Sequence, residues 1–154
     1  MRKLLAILAI ACALPAALPA SEFDWLVREF SRESGATAEH IPFLWLARAA
    51  VAVVGPAGTS ELHLAIFEHT ALSPQRFGSL ADEAMADGGW KPIVRVRSRY
   101  NEATNIYAQQ EGRKHLRLLI ATLDHNEATF VEVRIQPQEL IQFIDEHRGN
   151  GGRQ

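Results

Sequence analysis

The chain has 154 residues, 47% hydrophobic, 22% charged and 8% aromatic, with a single cysteine. This hydrophobic content excludes a disordered chain, and the lone cysteine excludes a scaffold stapled by disulfides. Sixteen Lys and Arg face 18 Asp and Glu, so no basic excess points to nucleic acid.

Residues 1–20 read as an address rather than as part of the fold. Arg2 and Lys3 precede a run with no further charge, interrupted by Pro15 and Pro19. A basic start, an apolar stretch and small residues near the end are the parts of a secretory signal peptide, with cleavage expected after Ala20. Two other readings are weighed. An uncleaved anchor from Leu4 to Ala20 is short, since about 20 residues are needed to cross a bilayer. Ala9-Ile10-Ala11-Cys12 loosely follows a lipobox, but its preceding apolar run is brief. After cleavage, removing Arg2 and Lys3 leaves 14 basic residues against 18 acidic ones, a formal charge of −4. The expected location is therefore the periplasm or the exterior, with membrane contact only through the leader if it is retained or lipidated.

The first expected helix spans residues 21–34. Phe23, Leu26, Val27 and Phe30 fall on one face, Ser21 and Asp24 have capping-box spacing, and Gly35 is a natural stop. A second helix is expected from Pro42 to Val54, where Arg48 alone interrupts the apolar residues after Pro42. Such a segment is usually central to a core, or else a surface for a partner or lipid. Residues 60–70 alternate as a strand, with Leu62, Leu64 and Ile66 on one side and Glu61, His63 and Ala65 on the other. Ser73-Pro74 opens another helix, with Phe77, Leu80, Ala81, Ala84 and Met85 on its stripe. Strands follow at residues 93–100, 104–110, 115–124 and 128–135, and Pro137 begins a last helix.

Successive strands with short turns form an antiparallel meander. The expected fold is a single α+β domain over residues 21–148, followed by a disordered tail at 149–154. It is a two-layer sandwich of about five mainly antiparallel strands, with helices packed on one face.

Catalytic signatures are missing. Residues 55–60 superficially suggest a phosphate loop, yet they lack the lysine and the strand-to-helix order that chemistry needs. No Gly-x-Ser-x-Gly elbow surrounds a serine. His63 and His69 share strand parity, and His115 could join them only under a favourable register, so no metal site is assigned. Asp82-Glu83 and Asp145-Glu146 are adjacent on helices and point about 100° apart, which suits solvated faces. No cofactor is implied.

The informative stretch is Val94-Arg95-Val96-Arg97-Ser98-Arg99. Alternation predicts Val94 and Val96 in the core and Arg95, Arg97 and Arg99 in an outward row about 7 Å apart. Arg117 and Arg134 share that parity, while Leu118 is expected to face the core. The five arginines are candidate contacts for an acidic partner or anionic polymer. Cross-strand pairing with Glu127 or Glu132 is the competing, purely structural use.

The leader, then Phe23-Asp24-Trp25-Leu26, then the run from Asn105 to Ile144 (NIYAQQEGRKHLRLLIATLDHNEATFVEVRIQPQELIQFI) resemble a family of small exported bacterial proteins of unassigned function. Its members carry a signal peptide or lipoprotein leader before one helix-and-strand domain. That resemblance rests on hydrophobic pattern over the whole mature chain and implies no catalytic residue, cofactor or metal. The expected function is a non-enzymatic envelope protein that binds another protein as an accessory or sensory module. The alternative is a hydrolase-like enzyme assembled from dispersed residues such as Glu61, His63 and Arg97.

Overall fold

In the computed structural model, which describes residues 21–40 and 58–148, Ser21 caps the first helix. Its hydroxyl accepts the Asp24 N–H at 3.1 Å, satisfying a donor that the opening turn leaves free. Helix α1 runs Glu22–Ser34 and ends where Gly35 takes a left-handed φ of 68°. The expected leader, the helix at 42–54 and the tail at 149–154 lie outside the described residues.

Strand β1 (Glu61–Phe67) is shorter than its alternation suggested, because His69 turns the chain with a φ of 58°. Helix α2 (Pro74–Ala84) starts with Ser73 accepting the Arg76 N–H at 3.2 Å and has Pro in its first turn. Four strands follow: β2 (Lys91–Arg97), β3 (Glu102–Glu111), β4 (His115–Asp124) and β5 (Glu127–Ile135). Helix α3 (Pro137–Arg148) closes the described chain. None of the described helices is long and apolar enough to cross a membrane.

The strands form one five-stranded sheet in the order β1-β5-β4-β3-β2, every neighbouring pair antiparallel. The domain is thus an α+β sandwich. From β2 to β5 the chain is a meander of local hairpins, whereas β1 closes the sheet by a long-range pairing with β5. That pairing is extended at its start, where Ser60 N–H donates to Arg134 O at 2.9 Å and Gln136 N–H donates to Gly58 O at 3.0 Å. Gly58 has a φ of 74°, and a Cβ there would fall 2.9 Å from Glu139 Cβ. Only glycine combines that backbone with that approach.

Helices α1 and α2 pack on the same face of the sheet. Phe30 of α1 meets Phe67 at 4.8 Å and Phe130 at 5.1 Å between ring centroids, and Phe77 of α2 stacks on Phe130 at 5.5 Å. Tilted and offset contacts of this kind suit the aromatic quadrupole. Leu26, Leu80, Leu119, Leu123 and Tyr107 complete this core.

Register shows which side of each strand this core uses. Phe67 lies opposite Ala128, Phe130 opposite Ala121, and Tyr107 opposite Leu119. Among the described residues, the side of β1 that meets this core is therefore that of Glu61, His63, Ala65 and Phe67, while Leu62, Leu64 and Ile66 are half-buried on the other side. The same correction applies further along the sheet. Leu118 is half-buried on the second face, and Val94 and Val96 project there as well, opposite Ile106 and Thr104. The reason is compositional. The second face carries the aliphatic alternation, while the helix-covered face combines aromatics and small residues with charges near its margin, so alternation alone does not identify the covered side.

Candidate partner-binding face

The five candidate arginines divide into two groups. Arg95, Arg97, Arg117 and Arg134 do share one face of the sheet, but it is the face on which α1 and α2 pack. Arg95 lies opposite Asn105, Arg97 opposite Ala103, and Arg117 opposite Arg134. Most of them are engaged. Arg95 donates to Asp82 Oδ1 of α2 at 2.6 Å, and the Tyr107 hydroxyl donates to the same oxygen at 2.6 Å. Burial, and then the bond to Asp82, push the Tyr107 phenol well above its ordinary pKa. Arg134 donates to Glu111 and lies 3.8 Å from Glu61.

Arg117 sits deepest. Its guanidinium donates twice to Glu132 Oε1, donates to Gln109 Oε1 at 3.1 Å, and lies 5.3 Å from the centroid of the Trp90 ring. The side chains of Arg117 and Glu132 are only 17% and 3% exposed. Burial opposes the Arg117 charge, but the Glu132 carboxylate outweighs it, so the arginine holds its proton more firmly than usual. Glu132 Oε2 and Trp90 Nε1 are buried with no partner among the described residues. This cluster fixes the end of the core beneath Trp90, and its cation is already neutralised.

Arg97 and Arg99 differ. Both are exposed, and neither has an ion-pair partner among the described residues. They belong to the stretch Lys91–Tyr100, which contains four cations and no acid. Among the described residues β2 is also an outermost strand, with a neighbouring strand on one side only. Along it and its following turn, Ile93 is 62% exposed, Val96 58% and Tyr100 77%. These are three of the five large hydrophobic residues exposed among the described residues. Isolated exposed apolar residues are ordinary, but several along one edge strand make an edge that another chain could pair with. An open cleft of about 260 Å³ runs along Pro92, Ile93, Val94 and Arg95. The pairing with β3 shifts register between Pro92 and Val94, which leaves Ile93 as a bulge.

Pattern reading found Arg97 and Arg99 but missed the apolar residues beside them, because it placed Val96 in the core and did not single out Ile93 or Tyr100. Pro92 carried the missing signal. A proline inside a strand belongs at a sheet edge or a bulge, and here it is at both.

The other polar groups converge less. His63 rests against Phe23 at 5.5 Å, His115 begins β4 opposite Glu111, and His69 follows β1 at the sheet's opposite end. Register therefore keeps the three histidines apart. Glu61 and His63 lie on β1 and Arg97 on β2, at opposite edges of the sheet. Glu83 is bonded to Arg76 at 2.7 Å, while Asp145 and Glu146 are exposed. Glu102, Asp124 and His125 do bring ligand atoms within 4.8 Å of one another at the hairpin turns. Within that group the Asp124 carboxylate faces His125 Nδ1 at 2.5 Å and raises the imidazole pKa.

No protein-family model, curated protein or solved structure matches the chain.

Proposed function

We propose that the protein is an exported, non-enzymatic component of the cell envelope that binds another protein, serving as an accessory or sensory module. One observation carries this reading: among the described residues β2 is an outermost strand that exposes Ile93, Val96 and Arg97, with Arg99 and Tyr100 just after it, and neither arginine has an ion-pair partner among those residues. Apolar contacts supply affinity at such a surface, while unpaired charge supplies orientation and rate of encounter. The basic start and apolar run of residues 1–20 support export, as does the resemblance to small exported bacterial proteins. The distance between Glu61, His63 and Arg97 across the sheet weighs against an enzyme built from those three.

The test begins with the protein recovered from its host. Its mass is expected to correspond to a chain starting near Ser21, and a lipidated Cys12 or a full-length membrane form would contradict cleavage. The mature protein is then used to capture its partner from the envelope, and the dissociation constant is measured for the parent and for the Arg97→Gln/Arg99→Gln variant. The parent is expected to bind more tightly and to weaken as salt rises, because exposed charges are screened within about 10 Å at 0.1 M. Equal, salt-independent affinities would remove the arginines from the reading.

A further inference from the structure

We infer that the partner adds to the sheet as a sixth strand along β2, and that the added segment is extended and alternates acidic with apolar residues. This rests on the partner-binding reading above and specifies its geometry.

The backbone supplies the first argument. Ser98 N–H donates to Glu102 O at 2.9 Å. In an antiparallel ladder, residues that bond directly across the pair alternate with residues whose N–H and C=O point the other way. Counting back from Ser98, Val96 opposite Thr104 and Val94 opposite Ile106 bond inward to β3. Arg97 and Arg95 therefore aim their N–H and C=O away from β3, at the open edge. Among the described residues the sheet order puts no strand beyond them. A run of outward donors and acceptors on an edge strand is the template for strand addition.

The side chains supply the second argument. An added strand would place its residues beside those of β2 on both faces of the sheet. On the helix-side face it would meet Arg97, with Arg99 just beyond, and neither has a carboxylate partner among the described residues. On the other face it would meet Val94 and the exposed Val96. Carboxylates beside the arginines and aliphatic side chains beside the valines complement this edge, and they recur at the two-residue period of a strand. Ile93 is bulged and Pro92 lacks an N–H, so pairing is confined to the part of β2 after the bulge.

The same charges argue against a second copy as the occupant. Two β2 edges placed together would bring one cationic row against another with no acid between Lys91 and Tyr100 on either chain. Like charges across a strand pair are destabilising, and edge cations are a common protection against self-pairing.

The test uses the mature protein and three synthetic eight-residue peptides with capped ends. The first alternates Glu with Val, the second alternates Lys with Val, and the third is the first with alternate backbone nitrogens methylated to block one row of donors. Binding is followed by fluorescence anisotropy, and amide exchange of Arg95 and Arg97 by NMR. The Glu/Val peptide is expected to bind at least tenfold more tightly than either control and to slow exchange at Arg95 and Arg97. The Arg97→Gln/Arg99→Gln variant is expected to melt like the parent and lose at least tenfold in affinity for that peptide. Failure of the Glu/Val peptide to bind, equal affinity for the methylated peptide, or protection confined to other strands would overturn strand addition. Should the captured envelope partner still weaken with the double variant in that case, partner binding would stand and only the sixth strand would fall. Concentration-dependent dimerisation through β2 without peptide would assign the edge to a second copy and overturn the proposal.

Discussion

Arg117 and Glu132 are diagonal neighbours, not opposite ones: across the β4–β5 ladder Arg117 faces Arg134, while Glu132 faces Leu119. Two arginines directly opposite would repel, and the structure separates them by sending each to its own carboxylates. Arg117 turns to Glu132, and Arg134 turns to Glu111 and Glu61. The first of these pairs is buried and the second lies near the margin, so the two make unequal contributions to stability.

For the buried pair, removing one partner leaves a charge that water reaches poorly. Glu132→Ala is expected to destabilise the domain by about 3 to 5 kcal/mol, against a smaller loss for the double change Glu132→Leu/Arg117→Met. Urea denaturation of the parent and both variants measures this. A Glu132→Ala loss as small as that of an exposed ion pair, about 0 to 1 kcal/mol, would mean that Arg117 finds another partner or solvent.

The phase of the sheet is open to a direct comparison on β4. Leu119 is fully buried beneath the helices, and Leu118 is half-buried on the second face. Leu119→Ala is expected to cost about 2 to 5 kcal/mol, in the range for truncating a core leucine, and Leu118→Ala less. Thermal melting of the two variants orders them. The reverse order would restore the phase first read from alternation.

Those two leucines show what the sequence carries and what it does not. The positions of the described elements were legible because their causes are local: Ser21 and Ser73 cap helices, Gly35 takes a left-handed turn, and short polar turns join the strands. Which side of the sheet meets α1 and α2 was not legible, because Leu62, Leu64, Leu118 and Val96 look like core residues by hydropathy. The covered side instead gathers Phe67, Tyr107 and Phe130 with alanines opposite or beside them, alongside charged residues that find partners only once the strands are in register. Arg95 could be recognised as structural only when α2 brought Asp82 to it. Nothing in the local sequence distinguishes it from Arg97.

Arg97 and Arg95 should accordingly behave alike in stability and differently in binding. The Arg95–Asp82 pair is about half exposed, with side chains 46% and 43% accessible, so solvent screens it. Arg95→Gln and Arg97→Gln are each expected to change stability by no more than about 1 kcal/mol. Only Arg97→Gln is expected to lower partner affinity substantially, because Arg95 already has a carboxylate. Denaturation curves and dissociation constants for the two single variants separate these effects. A larger binding loss from Arg95→Gln would mean that its pair with Asp82 opens when the partner docks.

Tyr107 gives the fold a sensitivity to alkali whose sign can be worked out. Its side chain is buried and its hydroxyl donates to Asp82, so the folded state holds the phenol's proton above the ordinary value of about 10. Below the unfolded pKa both states keep the proton, and the hydrogen bond contributes fully. As pH rises past the unfolded value, the unfolded chain ionises while the folded chain does not, so stability falls until the folded pKa is reached. Urea denaturation at pH 8, 9, 10 and 11 (round values chosen about the ordinary tyrosine pKa) is expected to show the parent losing stability most steeply above about pH 10. Tyr107→Phe keeps the ring in the core and removes the ionising group. It is expected to lower stability at pH 8 by about 0.5 to 1.5 kcal/mol, the net contribution of a hydrogen bond, and to flatten the alkaline decline. Parallel pH profiles for the parent and Tyr107→Phe would mean that another group governs the alkaline limit.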